Sequence, residues 1–410
     1  MSDPVPSYRP GATPGGASTP LRVFAILTAV MTFVLVWVGG LVTSHGAGMA
    51  VPDWPNTYGY NMFFFPISKW MGGIFYEHTH RLIASGVGFL TSILALWLFG
   101  YKSRKFLRVI STIFILLGIA AAMKRPERMS EDLLLVGIGL VGFVASFVWP
   151  RCEPSPKWLR TLGVIAFFAV VTQGVLGGLR VTEMKDQLGI FHATLAQMFF
   201  CLVSSIALFQ TNFWKKLQPS QIASPVKLLY LATTVLILGQ LVLGATMRHQ
   251  HAGLSIPDFP LAYGKWWPAT DADSIAHYNQ IRNAPEAYGF ITAAQVILQM
   301  VHRIVAVAIL ACVLTCFIRT LRQFGWQNLL TRFSFGWFLL ICCQALLGAA
   351  TIWTAKSADI ATLHVACGAL SLLSGTLLTI VAFRMLAANA NQTVRDIPIE
   401  NSFGISHSTT

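Results

Sequence analysis

Apolar residues in this chain run unbroken for stretches close to the roughly 20 positions that an α-helix needs to cross a hydrocarbon layer. Such runs fall at 22–43, 74–100, 106–123, 133–149, 160–180, 189–210, 227–247, 294–318, 332–354 and 360–386. These ten candidate spans are all helical in expectation; those at 106–123 and 133–149 are short, and form either two crossings or a tight hairpin. Either way they return the chain to the side it left. Residues 1–21 and 388–410 are polar and carry no such run. They read as a disordered cytoplasmic lead and an unstructured tail. The lead has neither the apolar stretch of a signal peptide nor the Arg-rich pattern of a mitochondrial transit segment, so a bacterial inner (plasma) membrane is the expected address.

Composition agrees with a lipid setting: 55% of the 410 residues are hydrophobic and 11% charged, where a soluble domain carries about 25% charged residues. The formal net charge of +13 is distributed by side. Lys102, Arg104, Lys105 and Arg108, then Arg151, Lys157 and Arg160, then Lys215, Lys216 and Lys227, then Arg319, Arg322 and Arg332 occupy alternate connections. Positive loops stay inside, so these are cytoplasmic. Across the membrane, Lys124, Arg125 and Arg128 are offset by Glu127, Glu131 and Asp132. The charge therefore reads as orientation and contact with anionic lipid, not as a nucleic-acid surface.

The chemistry sits on four histidines near helix starts. His80 follows Glu77-His78-Thr79 and precedes Arg81; His302 follows Gln299-Met300-Val301 and precedes Arg303. Between and after them, Gln173-Gly-Val-Leu-Gly-Gly is followed nineteen positions on by His192, and Gln344-Ala-Leu-Leu-Gly-Ala twenty positions on by His364. Two signatures in the same order mark an internal repeat. With the topology above, all four imidazoles lie one or two turns inside helices entering from the outer face, roughly 5 to 10 Å deep at about 1.5 Å rise per residue. Facing helices at about 8 to 10 Å can each present an imidazole to a flat macrocycle between them, and neutral imidazole ligates iron. A single such histidine reads first as a hydrogen-bonded helix residue. Four at one depth in repeated pairs point to two bis-histidine hemes, with proton-relay histidines of a transporter as the other reading.

On these residues the chain resembles the heme A synthase family. Further matching elements are Phe191-His192-Ala193, Leu363-His364-Val365 and two outer loops, Gly48-Met-Ala-Val-Pro-Asp-Trp-Pro55 and Gly253-Leu-Ser-Ile-Pro-Asp-Phe-Pro260, followed by Tyr58-Gly59 and Tyr263-Gly264. The resemblance runs from about 22 to 387 and omits 106–158. It implies an all-α integral membrane protein of two pseudo-repeated four-helix bundles, eight core transmembrane helices in all. The N-terminal half would be 22–210 and the C-terminal half 227–387, with about 106–158 an inserted helical hairpin. The implied activity is oxidation of the C8 methyl group of heme O to the formyl group of heme A for terminal oxidase assembly. His80 and His192 would ligate the iron of the substrate heme O, and His302 and His364 that of a resident heme b relaying electrons. Implied partners are a heme O synthase, a terminal oxidase and an unidentified electron donor, with membrane lipid around the chain; a second copy of the chain is a further candidate.

The two halves differ at one ionisable position. Three residues before the first ligand stands Glu77 in one and Gln299 in the other, on the ligand's own helical face. A carboxylate at this depth is a candidate catalytic group, with pairing to Arg81 as the structural alternative. Arg81, Arg303, Arg180 and Arg248 are candidate propionate anchors, and interfacial snorkelling explains them equally. Trp54, Phe259, Trp266 and Trp267 read as an interfacial belt or a cover over the heme edges. His45, His249, His251, His277 and His78 are not first choices as ligands. The seven cysteines lie on or near helices and read as small core residues; the outer segments 44–72 and 249–293 contain none, so the cysteine pair of some family members is missing. A di-heme electron-transfer cytochrome would use the same four ligands and is the alternative function.

Overall fold

The computed structural model describes residues 19–124, 129–218, 224–281 and 289–386. The lead up to residue 18, the tail beyond 386, and Arg125, Glu127 and Arg128 of the hairpin turn lie outside the described residues. Within them the helices are α1 (Thr19–Ser44), α2 (Gly73–Leu98), α3 (Ser103–Lys124), α4 (Met129–Val148), α5 (Lys157–Glu183), α6 (Asp186–Gln210), the short α7 (Asn212–Lys216), α8 (Val226–His249), the short α9 (Ala272–Ile281), α10 (Ala293–Phe324), α11 (Leu329–Trp353) and α12 (Ala358–Met385). Nine helices among the described residues are long and apolar enough to span a membrane; α4 contributes a shorter apolar stretch, Asp132–Val148. The fold is all-helical and of membrane type, as expected from the apolar runs.

Several threonine hydroxyls inside these helices are satisfied within their own helix. Thr28, Thr32 and Thr43 donate to the carbonyls of Phe24, Thr28 and Gly39 at 2.8, 2.7 and 2.6 Å, the solution open to a polar side chain where water is absent. Helix α10 starts on a capping box, with Thr292 and Gln295 bonding each other's backbone N–H. Helix α5 ends at Met184, whose left-handed φ of 52° turns the chain within two residues into α6.

Helices α1, α2, α5 and α6 pack in a closed ring, α1 on α2, α2 on α5, α5 on α6 and α6 on α1; α8, α10, α11 and α12 close a second ring in the same cyclic order. Each ring has its own apolar core, Leu94, Leu98, Phe199 and Ile206 in the first and Tyr230, Val313, Trp337 and Leu372 in the second. The rings meet where α1 packs on α12 and α6 on α8 and α12, through Val36, Phe200 and Ala369. Helices α3 and α4 pack on each other. Side chains at Gly118, Gly139 and Gly142 would collide with the partner helix, the small-residue route to close helix approach in lipid. This hairpin is tied to the first ring at its root, where Tyr101 N–H donates to Cys152 O and Ser155 N–H to Leu98 O, both at 2.9 Å.

Candidate functional site

All four singled-out histidines lie at the loop end of their helices, His80 on α2, His192 on α6, His302 on α10 and His364 on α12. Each ring rests against a glycine of the preceding long helix in its ring. A Cβ built on Gly39, Gly177, Gly244 or Gly348 would lie 3.1, 3.2, 3.4 and 3.1 Å from Cε1 of His80, His192, His302 and His364 respectively. A side chain at Gly39, Gly177 or Gly348 would press on the Cε1 edge of the imidazole, and one at Gly244 would just touch it, so the glycines let each ring come close to the neighbouring helix. In all four, Nδ1 is buried without a hydrogen-bond partner. Backbone groups of Gln173 and Gln344 approach the rings of His192 and His364 without completing a well-formed bond to Nδ1. Since the rings as a whole are only half-buried, Nε2 is the nitrogen presented to open space. The pairing follows from the helix order: His80 and His192 stand on the diagonal helices α2 and α6 of the first ring, and His302 and His364 on the diagonal helices α10 and α12 of the second.

This donor set suits a heme. The four imidazoles, each with a buried and unpartnered Nδ1, are the residues that would hold heme iron, His80 with His192 and His302 with His364, and the iron would supply redox chemistry there. Among the described residues no group of three or more His, Cys, Asp or Glu side chains could cage a bare ion. All seven cysteines are free.

The repeated outer loops have one geometry. Asp53 accepts from the backbone N–H groups of Tyr58 and Gly59, both at 2.8 Å, and Asp258 from those of Tyr263 and Gly264 at 2.7 and 2.9 Å. Tyr58 and Tyr263 are left-handed, at φ 49° and 53°, and a positive-φ glycine follows each, which explains the Tyr-Gly pairs. Their hydroxyls close the loops on Ala50 O and Ser255 O at 2.5 Å, and both loops contain a cis-proline, Pro55 and Pro260. Burial works to raise the Asp53 carboxyl, but the N–H groups of Gly59 and Tyr58, with Arg81, hold it below the usual value. The Trp54 ring lies on α5 where Gly178 offers no side chain: a Cβ there would come within 2.4 Å of Cδ2. Phe259 packs on Trp353 at 6.0 Å between centroids.

Arg81 and Arg303 hold these loops down. Arg81 donates to Asp53 O, Asn56 O and Val51 O at 2.7, 3.0 and 2.8 Å, and pairs with Glu77 Oε1 at 2.7 Å. Arg303 donates to Asp258 O and Leu261 O at 2.8 and 2.9 Å. Glu77 is 4% exposed, and its Oε2 accepts from Val51 N–H at 2.9 Å. Gln299 does the same for Ile256 N–H at 2.7 Å. Arg248 crosses between the rings to Gly40 O at 3.0 Å and Ser44 Oγ at 2.7 Å. Among the described residues Arg180 has no hydrogen-bond partner. Its guanidinium packs over Gly48.

Of the other histidines, His45 stacks on Tyr76 at 4.2 Å, and His78 is fully buried between Phe65 and Trp70, with Thr57 Oγ1 at 3.2 Å. His249 reaches from α8 onto α6 at Gly189. Two features escaped the sequence reading. Lys356 beside the second ring has its amine pushed below the usual value, first by burial and then by Arg248. Gln240-Leu-Val-Leu-Gly-Ala is a third copy of the glutamine-glycine signature; its Gly244 carries His302.

The family model of the cytochrome oxidase assembly proteins COX15-CtaA matches residues 133–376, more than half the chain. The chain belongs to this family. It is similar to the heme A synthase of Shouchella clausii (strain KSM-K16), at 22% identity over 339 residues, covering 82% of this chain and 87% of the relative. It is similar also to the heme A synthases of Bacillus cereus (strain AH187) and Bacillus mycoides (strain KBAB4), each 24% identical over 350 residues and covering 84% of this chain and 87% of the relative. As a COX15-CtaA protein it is a membrane oxidoreductase, the class expected from the resemblance.

Proposed function

We propose that the protein is a heme A synthase, converting the C8 methyl group of heme O to the formyl group of heme A in its N-terminal half while its C-terminal half holds heme b as an electron relay. The observation that carries this is the fourfold imidazole-on-glycine arrangement, paired as His80 with His192 and His302 with His364. Bound heme supplies the iron-centred redox chemistry. The chain's own part is to fix four Nε2 atoms, shield the site beneath the two loops and move protons. Glu77 is the acid–base candidate: a buried carboxylate three residues before His80, whose counterpart Gln299 cannot take a proton. It would accept a proton, or balance positive charge, as the methyl group is oxidised.

For the propionates, Arg180 is the first candidate, since its donors are uncommitted. Arg248 and Arg303 each keep a buried Nε without a partner that a carboxylate would satisfy; Arg81 is the most committed to its loop. The reading places the protein in a bacterial inner membrane, N-terminus cytoplasmic and heme sites toward the outer face. It would receive heme O from a heme O synthase, draw electrons from a separate donor and pass heme A to a terminal oxidase.

The test is expression in a host that makes heme O but no heme A, with His192→Ala alongside, followed by heme extraction. Heme A with the parent and none with the variant is expected. Purified protein holding heme b alone, with no heme A formed, would make it an electron-transfer cytochrome instead; protein holding no heme would point to a transporter.

A further inference from the structure

Four positions before each glycine that carries a ligand ring, one turn earlier on the same helix face, stands Gln173, Gln240 or Gln344 in three cases and Leu35 in the fourth. Gln173 Nε2 donates to the backbone carbonyl of His192 at 3.0 Å and Gln240 Nε2 to that of His302 at 2.8 Å. Gln344 lies against the His364 helix one turn on, where a Cβ on Gly368 would be 3.2 Å from its Nε2. Leu35, opposite His80, packs in the apolar core of the first ring. Among the described residues no side chain donates to the carbonyl of His80 or of His364; at His364 the amide side chain is still present against the ligand helix, whereas at His80 leucine replaces it. An amide tied to the ligand's own peptide group fixes the register of two facing helices where the imidazole must meet iron. A leucine fills the same space without that tie.

We propose that Gln173 and Gln240 are positioning residues that hold His192 and His302, and that His80, facing Leu35, is the ligand that detaches, so that the substrate heme is opened and exchanged from the His80 side. This rests on the four-histidine reading above. A heme that enters as substrate and leaves as product needs one releasable ligand, whereas a resident heme needs two fixed ones. The single leucine falls in the half assigned to the substrate.

The test uses purified, heme-loaded protein reduced with dithionite and mixed with carbon monoxide, which binds iron only where an axial imidazole has left. Hemes are assigned by their b-type or o/a-type absorption. In the parent, carbon monoxide should bind the o/a-type heme and spare the b-type. Leu35→Gln should slow that binding, and Gln240→Leu should open the b-type heme, each by roughly 10- to 100-fold, the range for changes in groups that orient a metal ligand. Should Leu35→Gln fail to fold, Gln240→Leu and the parent's asymmetry decide. Equal reactivity of both hemes in the parent, or unchanged rates in both variants with low-spin hemes present, overturns the positioning role and leaves the histidine assignment intact. Absence of bis-histidine heme from the parent overturns both.

Discussion

Glu77 and Gln299 grip the same peptide group of two repeated loops, Glu77 Oε2 accepting from Val51 N–H at 2.9 Å and Gln299 Oε1 from Ile256 N–H at 2.7 Å. An amide therefore does the holding in one half and a carboxylate in the other. Glu77→Gln therefore keeps an acceptor for Val51 N–H while removing the charge, and with it the ion pair to Arg81. Loop integrity, read by proteolysis and melting temperature, should be retained, while heme A formation should fall by about 10²-fold or more, the usual contribution of an acid–base group. Glu77→Ala should lose both. Native-rate conversion by Glu77→Gln would remove the carboxylate from the mechanism.

The glycine shelves give a prediction that is local to each ring. Gly177→Val should push His192 off its seat and empty the first site, leaving the b-type heme in place; Gly244→Val should do the reverse through His302. Extracted o/a-to-b ratios would distinguish them, and parallel loss of both hemes in both variants would contradict independent sites.

Asp53 adds a pH dependence. Its folded value is lowered by the N–H groups of Gly59 and Tyr58 against the opposing effect of burial. Its contribution to stability is thus complete above the ordinary carboxylate value and is lost as pH falls through the folded value. Melting temperature followed below neutrality should show this loss in the parent and a flatter profile in Asp53→Asn. Identical profiles would exclude the loop carboxylate.

The hairpin of α3 and α4 stands on adjacent feet, Tyr101 against Cys152 and Leu98 against Ser155. Joining Lys102 directly to Cys152 should spare the ring contacts of α2 and α5. Both hemes and heme A formation should survive the excision; their loss would assign the hairpin a part in the site.

Much of this was readable in the chain because hydrocarbon imposes its constraint residue by residue: apolar runs located the spanning helices, and the His-Arg repeats marked the loop ends of α2 and α10. What escaped has a physical reason. Gln240-Leu-Val-Leu-Gly-Ala was hidden because a comparison by halves sets α8 against α1, where Leu35 interrupts the pattern; it emerges only when the unit is taken as a helix pair. The spacing of Glu77 and Arg81 exposes their shared face, but the loop peptides they bind are separated in sequence by 26 to 30 positions for Val51. Nothing local marks such contacts. For the same reason, four arginines that look alike in sequence differ in the fold, three bound to backbone carbonyls and Arg180, among the described residues, to none.

Histidine ligation is tested most directly by low-temperature electron paramagnetic resonance of the purified, pigment-loaded protein beside a version with His80, His192, His302 and His364 all replaced by alanine. The parent should give low-spin bis-imidazole signals from two hemes, and the quadruple variant none. Persistence of those signals without the four imidazoles would contradict the assignment of both sites.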